Sequence, residues 1–312
     1  MSVAHPFLKW VGGKTQIIDK VFEKFPSTMT NYFELFIGGG SVLIELLNRL
    51  ENKTIHVNNI YINDCNSDLI DTYLTIKINC DKLVKELEMY SNHYNSVDFI
   101  SAKEKRAVIV PKENIDENIK LGKDYVYYFY RKQFNEMKNK LTLSENDVIT
   151  KSALLIFINK TCFRGLYREG RNGKFNVPFG NYKNVKIYDE DNIKKISCLL
   201  NKYKVHFTCN DFNKVNIVPD SFVYLDPPYY PENSTSFTDY NTKSFGKDKH
   251  EELCQVCINL DKNNNKFLLS NSDTEYIKKS LQFHTTIIEC KRSINSKDPG
   301  AKTNEILITN II

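Results

Sequence analysis

Four consecutive residues, Asp226, Pro227, Pro228 and Tyr229, carry the clearest chemical signal in the sequence. They follow an apolar run at 222–225, which is typical of a strand that ends in a turn. Proline has a fixed φ and no N–H donor, so the backbone here offers carbonyl acceptors without competing donors. A planar exocyclic amine suits this group, because the carboxylate and a proline carbonyl would each accept one N–H bond while the tyrosine stacks on the ring.

A glycine loop and a later aspartate indicate a second ligand, one that contains a nucleoside. Gly38, Gly39 and Gly40 separate a strand-like run at 32–36 from a run with helical spacing, and Asp64 ends the next strand-like run. Glycines let the backbone turn sharply and lie close to a ligand, and a carboxylate at the second strand tip can bind a ribose. A tight turn with a surface aspartate explains this pattern equally well when it is considered alone.

The same region disfavours two other classes of nucleotide-binding protein. No GxGxxG motif is present, and Gly38 and Asp64 are farther apart than the roughly 20 residues of a dinucleotide fold. Residues 12–15 resemble the end of a phosphate-binding loop, but that motif needs a glycine where Leu8 stands and a preceding strand. Lys14 in this segment could still reach a carboxylate or a phosphate, or it could be an exposed lysine.

Strand-like and helical patterns alternate along the chain, which predicts an α/β fold with a mostly parallel sheet that positions these residues. The strand candidates are 32–36, 60–63, 205–208, 222–225, 267–269, 286–290 and 306–309. Helical patterns at 125–141 and 151–159 fall in a region of different texture. The sequence therefore predicts a discontinuous sheet domain at 1–70 and 203–312, and an inserted, mainly helical domain at 71–202.

Two segments are strongly basic. Residues 160–186 contain seven lysines and arginines against the single acid Glu169, and residues 291–304 contain four against Asp298. The aromatic residues and glycines of the first segment indicate a hairpin-like element that enters a nucleic-acid groove, although a solvated basic loop explains the charge alone. The candidate nucleic-acid contacts are Lys160, Arg164, Tyr167, Arg168, Arg171, Lys174, Asn176, Arg292 and Ser293. The polar segment 231–250 is expected to be a flap or an ordinary surface loop.

Composition is that of an ordinary globular protein. The chain has 312 residues, 41% hydrophobic and 26% charged, with a net charge of +5, which excludes disordered, collagen-like and small disulfide-rich classes. No apolar run reaches the roughly 18 residues of a membrane helix and no leader is visible, so a cytoplasmic location is expected. The eight cysteines are irregularly spaced and expected to be reduced. Cys254 and Cys257 fit a buried helix face better than a metal or redox site, and no metal is indicated.

The order of these motifs resembles that of the alpha class of Dam-like DNA adenine-N6 methyltransferases, which use S-adenosylmethionine. The matching segments are 6–14, 34–41, 63–64, 162–163, 165–168, 173–180, 211–212, 226–229, 269–271 and 292–294. The resemblance covers nearly the whole chain and includes an insert between the glycine loop and the Asp-Pro-Pro-Tyr motif. It implies a Rossmann-like methyltransferase sheet with helices on both faces, plus an inserted DNA-recognition domain.

The resemblance also implies roles for residues at matching positions. The residues expected to bind the methyl donor are Trp10, Lys14, Phe36, Gly38, Gly39, Gly40, Asp64, Asp211, Phe212 and Asp226. Among them, Asp64 would take the ribose hydroxyls, and Asp211 and Phe212 would recognise the donor's adenine ring. The catalytic group for the target base would be Asp226, Pro227, Pro228 and Tyr229.

The chemistry of an adenine N6 amine explains what this catalytic group would do. The N6 lone pair is delocalised into the ring, so two acceptors that hold its hydrogens would favour the pyramidal geometry needed to attack the sulfonium methyl. The base would have to leave the duplex to reach the site. A short palindrome such as GATC or CATG is expected, although Phe163-Arg164-Gly165 stands where GATC-specific members usually have Phe-Asn-Gly.

Two alternatives stay open from the sequence. One is an amino-methyltransferase that acts on RNA or on cytosine N4, and the other is a non-catalytic DNA-binding relative. The expected partners are double-stranded DNA and, in a restriction-modification pair, a cognate endonuclease that shares the site. The oligomeric state is not indicated.

Overall fold

One seven-stranded β-sheet organises the part of the chain that the computed structural model describes, residues 3–101, 109–231, 245–291 and 302–311. The strands are β1 (Thr28–Glu34), β2 (His56–Asn63), β3 (His206–Thr208), β4 (Ser221–Leu225), β5 (Lys266–Ser272), β6 (His284–Lys291) and β7 (Lys302–Thr309). Their order across the sheet is β3-β2-β1-β4-β5-β7-β6. All pairs are parallel except those of β7, which runs antiparallel to both β5 and β6.

Each strand candidate overlaps one strand of the sheet, so the predicted α/β class is confirmed. The first candidate differs most, because β1 begins at Thr28 and ends before Phe36. Its early residues pair with β2 from Thr28 opposite His56, and they include polar side chains such as Asn31. These residues belong to β1 because they pair with β2, and a search for apolar runs does not find them.

The described helices cover this sheet, and six of them lie in the long connection between β2 and β3. They are α1 (Ile18–Phe22), α2 (Ser41–Glu51), α3 (Ser67–Ile78), α4 (Cys80–Asn95), α5 (Ile115–Leu121), α6 (Lys123–Lys138), α7 (Glu145–Thr161), α8 (Glu190–Lys202), α9 (Lys247–Lys262) and α10 (Glu275–Ser280). The helical pattern predicted at 151–159 belongs to α7, which begins earlier. A capping box between Ser144 and Asp147 starts α7 with polar residues that carry no apolar periodicity.

Both faces of the sheet are covered, as the Rossmann-like interpretation requires. Side chains of β4 alternate between two cores: Phe222 and Tyr224 face one, and Val223 and Leu225 face the other. The first core includes α2, α3, α7 and α8, and the second includes α9 and α10. Every residue of β4 is buried, which explains its continuous apolar sequence.

The insertion between β2 and β3 shares its core with the sheet. Helix α7 packs against α3, α4 and α6, and its residues 151–159 are all buried. A helix that is apolar on every side must be surrounded by protein. Phe157 of this helix belongs to the same hydrophobic cluster as Leu43 beside the sheet. The division into domains at 70 and 203 stays a prediction, and the packing ties the two parts together through one core.

Further expectations from the sequence concern the cysteines, membrane helices, metal ions and two polar segments. Cys254 and Cys257 are buried on one face of α9, and burial raises the pKa of the Cys254 thiol to about 11. Within the described ranges no helix is long and apolar enough to cross a membrane, and no group of three His, Cys, Asp or Glu residues could hold a metal ion. Most of the predicted flap (232–244) and most of the second basic segment, with Arg292 and Ser293, lie outside the described residues.

Candidate active site

The candidate site lies at the edge of the sheet where the parallel strands end. From β1 the chain continues to β2 and β3 on one side, and it later returns to β4 and β5 on the other side. The order in which strands are added therefore reverses between β1 and β4. Ligands of open α/β sheets bind outside the carboxyl ends of the strands at such a switch point. The predicted residues Phe36, Asp64, Asp211 and Asp226 all follow the ends of strands at this edge.

The glycine loop is built around Trp10. A Cβ atom on Gly39 would lie 2.6 Å from Trp10 Cβ, so no larger residue fits there. Gly40 has φ 70° and caps the start of α2, and the hydroxyl of Tyr73 occupies the space where its side chain would be. The loop is thus fixed by residues from two distant parts of the chain, and its backbone is left for a ligand on the opposite side.

Asp64 binds the glycine loop directly. Its Oδ2 atom accepts a hydrogen bond from the Gly38 N–H at 3.1 Å, and Oδ1 accepts one from the Asn66 N–H at 2.9 Å. Burial raises the pKa of the Asp64 carboxyl, and these backbone donors counteract the rise. A carboxylate has about four lone-pair sites, so acceptor capacity remains for further donors such as ribose hydroxyls.

Asn63, which lies in a matching segment but was given no role from the sequence, holds the ends of three strands together. Its Nδ2 group donates to the carbonyls of Leu35 at 3.2 Å and Asn210 at 3.0 Å. Its Oδ1 atom accepts from the Thr208 hydroxyl at 2.9 Å. Asn63 therefore fixes the positions of the loops that carry the candidate ligand-binding residues after β1, β2 and β3.

An aromatic cluster of Phe36, Phe212 and Phe245 lies beside the ends of β1 and β3. The ring centroids of Phe36 and Phe212 are 5.3 Å apart, and Phe245 is 5.9 and 5.6 Å from them. The Lys249 ammonium binds the Asp211 carboxylate at 2.9 Å. Phe36, Asp211 and Phe212 were predicted, whereas Phe245 and Lys249 precede or begin α9 and carried no recognisable motif.

Lys14 and Asp226 form a buried ion pair. Lys14 Nζ lies 2.7 Å from Asp226 Oδ2 and donates to the Gly12 carbonyl at 2.6 Å. The lysine side chain is 2% exposed, and its Nζ is 4.9 Å from the centroid of the Tyr229 ring. Burial raises the pKa of the Asp226 carboxyl, and Lys14 partly opposes that rise. The structure thus brings together two predicted residues from opposite ends of the chain.

Two acidic residues near Asp226 were missed by the sequence reasoning. Glu305 of β7 accepts a hydrogen bond from the Tyr229 hydroxyl at 2.8 Å. Glu34 at the end of β1 accepts one from the Tyr32 hydroxyl at 2.9 Å and is 2% exposed. Burial, together with Asp226 and Asp64, raises the pKa of Glu34 to about 8, against the effect of the Tyr32 bond. Strand order brings Glu305 to the site, whereas Glu34 lies in the matching segment 34–41 and was given no role from the sequence.

The basic segment contains the predicted hairpin-like element. Arg168 and Asn176 face each other across it, with the Asn176 N–H donating to the Arg168 carbonyl at 3.1 Å. Its tip is closed by the Gly170 N–H, which donates to the Lys174 carbonyl at 2.9 Å, and a β-bridge joins Glu169 to Phe175. The side chains of Arg168, Arg171, Lys174 and Asn176 are exposed. The hairpin prediction is confirmed, and its arginines and lysine face solvent.

The remaining predicted DNA contacts differ in their surroundings. Arg164 is exposed, has a left-handed backbone with φ 56°, and its guanidinium lies 5.2 Å from the Phe163 ring centroid. Lys160 is half-buried, and burial and the neighbouring Lys9 lower its pKa to about 8. Arg164 is therefore presented as a fixed surface cation, whereas Lys160 lies partly inside the molecule.

Tyr167 is part of an internal polar cluster that connects the hairpin with the glycine-loop region. Its ring centroid is 5.3 Å from that of Trp10, and its hydroxyl donates to Asp68 Oδ2 at 2.8 Å. Lys138 bridges Asp68 at 2.6 Å and Glu169 at 2.7 Å. This geometry gives Tyr167 a position between Trp10 and the base of the hairpin.

The seven-stranded sheet with helices on both faces is consistent with the Rossmann-like fold of methyltransferases. The family model for D12 class N6 adenine-specific DNA methyltransferases matches residues 10–295. The Type II methyltransferase M.MjaIII of Methanocaldococcus jannaschii is 38% identical over 98% of both chains. M1.LlaDCHI of Lactococcus lactis, also a Type II methyltransferase, is 32% identical over 98% of this chain and 95% of the relative. The DNA adenine methylase of Escherichia coli K12 is 28% identical over 99% and 95%.

The chain belongs to the D12 class of N6 adenine-specific DNA methyltransferases. It is therefore an adenine-specific DNA methyltransferase, as the motif order indicated. Membership disfavours the two alternatives left open by the sequence, a cytosine- or RNA-directed enzyme and a non-catalytic DNA-binding relative.

Proposed function

We propose that this enzyme transfers the methyl group of S-adenosylmethionine to N6 of an adenine that is flipped out of a short palindromic DNA site. The observation that carries the proposal is the convergence of Asp226 and Tyr229 with the glycine loop and Asp64 at one sheet edge. A catalytic group for an amine and a cradle for a nucleoside are there side by side. The two ligands of a methyl transfer need this arrangement.

The residues at the sheet edge fit a nucleoside that carries a positive charge. Asp64 would offer its remaining lone pairs to ribose hydroxyls, and the aromatic cluster of Phe36, Phe212 and Phe245 would offer a ring face to an adenine. When bound, S-adenosylmethionine supplies an electrophilic methyl group on a sulfonium. The full set that would hold it is Trp10, Lys14, Phe36, Gly38, Gly39, Gly40, Asp64, Asp211, Phe212 and Asp226.

Asp226 and its neighbours would orient the target amine. Lys14 engages one carboxylate oxygen, which leaves lone pairs of Asp226 for one N6 hydrogen, while the Pro227 carbonyl accepts the other. With both hydrogens held, the nitrogen lone pair is directed toward the methyl group. Attack forms the N–C bond as the C–S bond breaks, and the nitrogen then loses one proton to the site or to solvent. Tyr229, next to Pro228, would stack on the flipped base and offset the lost base stacking.

The hairpin and the surrounding basic surface would hold the duplex. Arg168, Arg171 and Lys174 project into solvent from a rigid turn whose base contacts Trp10 through Tyr167. Arginines there suit guanine edges and lysines suit phosphates. A DNA site next to the glycine loop would place the flipped base within reach of Asp226.

The expected target is a palindrome that contains adenine, such as GATC or CATG. Two relatives bear the name Type II methyltransferase, which supports a role for this chain in a restriction-modification pair, with an endonuclease that shares the site. Such a pair would act on DNA in the cytoplasm. The hairpin residues would determine which sequence is read.

The test is sequencing that detects modified bases in DNA from cells that express the protein and lack other adenine methylases. Wild type should place N6-methyladenine in one palindromic motif. Asp226→Ala should abolish the signal, because it removes the acceptor from the target amine. Asp191→Asn, which changes an exposed acid of α8, should leave the pattern intact. Methylated cytosine, or methylation by Asp226→Ala at the wild-type rate, would contradict the proposal.

A further inference from the structure

Strand β7 brings a second carboxylate to the candidate active site. Because β7 runs antiparallel between β5 and β6, its first residues lie at the edge where β4 and β5 end. Glu305 stands opposite Ser272, the last residue of β5. It is half-buried, and none of the sequence motifs includes it.

Glu305 holds the Tyr229 ring from its far end. The phenol hydroxyl donates to Glu305 Oε2 at 2.8 Å. On the backbone side, the Tyr230 N–H donates to Asn271 Oδ1 at 3.0 Å, and the Ser272 hydroxyl donates to the Tyr230 carbonyl at 2.6 Å. Strand β5 therefore fixes the backbone next to Tyr229, and β7 fixes the hydroxyl, which leaves the ring little freedom to tilt.

The position of Glu305 is electrostatically unfavourable for a residue that serves folding alone. Burial is the main cause of the raised pKa of Asp226 and Tyr229, and the charge of Glu305 raises both further. Placing a second carboxylate near a buried one costs free energy. Proteins accept such an unfavourable charge arrangement mainly at functional sites, where geometry matters more than stability.

We propose that Glu305 is a positioning residue that sets the tilt of the Tyr229 ring on which the target adenine stacks. The inference rests on the proposed function of Tyr229 and extends it to β7. A stacked ring held within a few degrees keeps the amine in line with its acceptors, and loose support of a catalytic group lowers the rate without abolishing it. Glu305 acts through the phenol hydroxyl, so an uncharged acceptor of the same shape should replace it.

The experiment compares full-length Glu305→Ala, Glu305→Gln, Tyr229→Phe and the double variant Glu305→Ala/Tyr229→Phe under single-turnover methylation of DNA carrying the wild-type motif. Glu305→Ala and Tyr229→Phe should each lower the rate about tenfold, the loss expected for a hydrogen bond to a charged group. The double variant should be no slower than Tyr229→Phe, since that change already removes the bond to Glu305 together with the interaction of the hydroxyl with Asp226. Glu305→Gln should stay within about threefold of wild type, because its amide oxygen still accepts from the phenol.

Two controls separate positioning from a general structural effect. Equilibrium binding of S-adenosylmethionine should be unchanged in Glu305→Ala, so that the loss falls on kcat. Glu275→Gln alters an exposed acid of α10 that pairs with Lys278 and should have the wild-type rate. A wild-type rate in Glu305→Ala, or a double variant as slow as the product of the two single losses, would overturn the proposal.

A measurement on the tyrosine itself keeps this inference distinct from the proposed function. In protein labelled with 13C at tyrosine Cζ, the Tyr229 resonance is assigned by its loss in Tyr229→Phe. That resonance should move in Glu305→Ala and return toward its original place in Glu305→Gln. If the wild type fails to methylate adenine, the proposed function fails while the shift still reports the contact. An unmoved resonance in Glu305→Ala removes the positioning role.

Discussion

At the scale of single residues, the contact of Lys14 with Asp226 controls the charge state of the carboxylate that we propose to be catalytic. Burial, and to a smaller extent the charge of Glu305, raises the pKa of Asp226. Lys14 Nζ, at 2.7 Å, opposes that rise. Asp226 must be ionised to accept amine hydrogens, so activity should fall as pH drops through its pKa. Removing the cation raises that pKa and thus moves the acid limb of the rate to higher pH.

Lys14→Met should therefore shift the acid limb of kcat upward by about one pH unit or more. The rate is measured at saturating donor between pH 5 and 9, so that weaker donor binding does not enter. Lys20→Met, on the exposed side of α1, should keep the wild-type profile. If the two variants share one profile, Lys14 does not control the ionisation of Asp226.

Glu34 should make stability depend on pH in the direction opposite to most acids. Its pKa is raised from the ordinary 4.5 to about 8 in the folded protein, mainly by burial. The folded state then holds a proton that the unfolded state has lost, so stability falls as pH rises between these two values and is constant above about 8. Below 4.5 both states are protonated and the penalty is absent.

Glu34→Gln copies the protonated acid and should abolish this dependence. Urea unfolding should give the variant a larger unfolding free energy than wild type at pH 8.5, by a few kcal/mol in order of magnitude. The difference should nearly vanish at pH 4.5. Glu23→Gln, an exposed change nearby in sequence, serves as the control. An equal difference at both pH values would mean that Glu34 stays ionised in the fold.

The sequence predicted the residues of the site that lie in short motifs and missed those brought in by strand order. Asp64 and Asp226 directly follow buried strands, so their place at the sheet edge could be inferred. Glu305 could not, because its place depends on β7 entering antiparallel between β5 and β6. The hydrophobic periodicity of a sequence indicates that a strand is present. It does not indicate which strands lie beside it or in which direction it runs.

At the scale of elements, the cluster around Asp68 joins the basic hairpin at 168–176 to the helices beneath it. Asp68 of α3 accepts from Lys138 of α6 at 2.6 Å and lies 3.1 Å from Lys151 of α7. Tyr167 adds a hydrogen bond from the hairpin side. Both lysines are largely buried, at 17% and 6% exposure, so their charges depend on these partners. The insertion could be predicted as helical, but pairs so distant in sequence leave no periodic signal.

Asp68→Ala should destabilise the protein by about 2 kcal/mol, less than the roughly 3–5 kcal/mol typical of a broken buried pair. The cost is reduced because Lys138 keeps Glu169 and Lys151 keeps Asp71. Urea unfolding measures the loss. Glu145→Ala breaks an ion pair on the surface of α7 and should change stability little. A similar small effect for both variants would show that the cluster contributes no more than a surface pair.

At the scale of the whole molecule, a weakly basic total conceals an uneven charge distribution. The chain has a net charge of +5, yet residues 160–186 alone carry seven basic residues against one acid. Three of these basic residues, Arg168, Arg171 and Lys174, are exposed on the hairpin. The residues predicted to bind the methyl donor, by contrast, include half-buried acids and aromatic rings. The two ligands of the reaction should therefore respond differently to salt.

DNA affinity should fall steeply as salt rises, because each phosphate contact releases counterions, whereas S-adenosylmethionine affinity should change much less. Lys174→Gln should weaken binding to all duplexes alike and reduce the slope of log K against log salt by about 1. Fluorescence anisotropy of labelled duplexes between 50 and 300 mM NaCl measures the slope. Lys262→Gln, on α9 at the other face of the sheet, should leave it unchanged. A flat salt response, or equal slopes for wild type and Lys174→Gln, would show that the hairpin charge does not contact the phosphates.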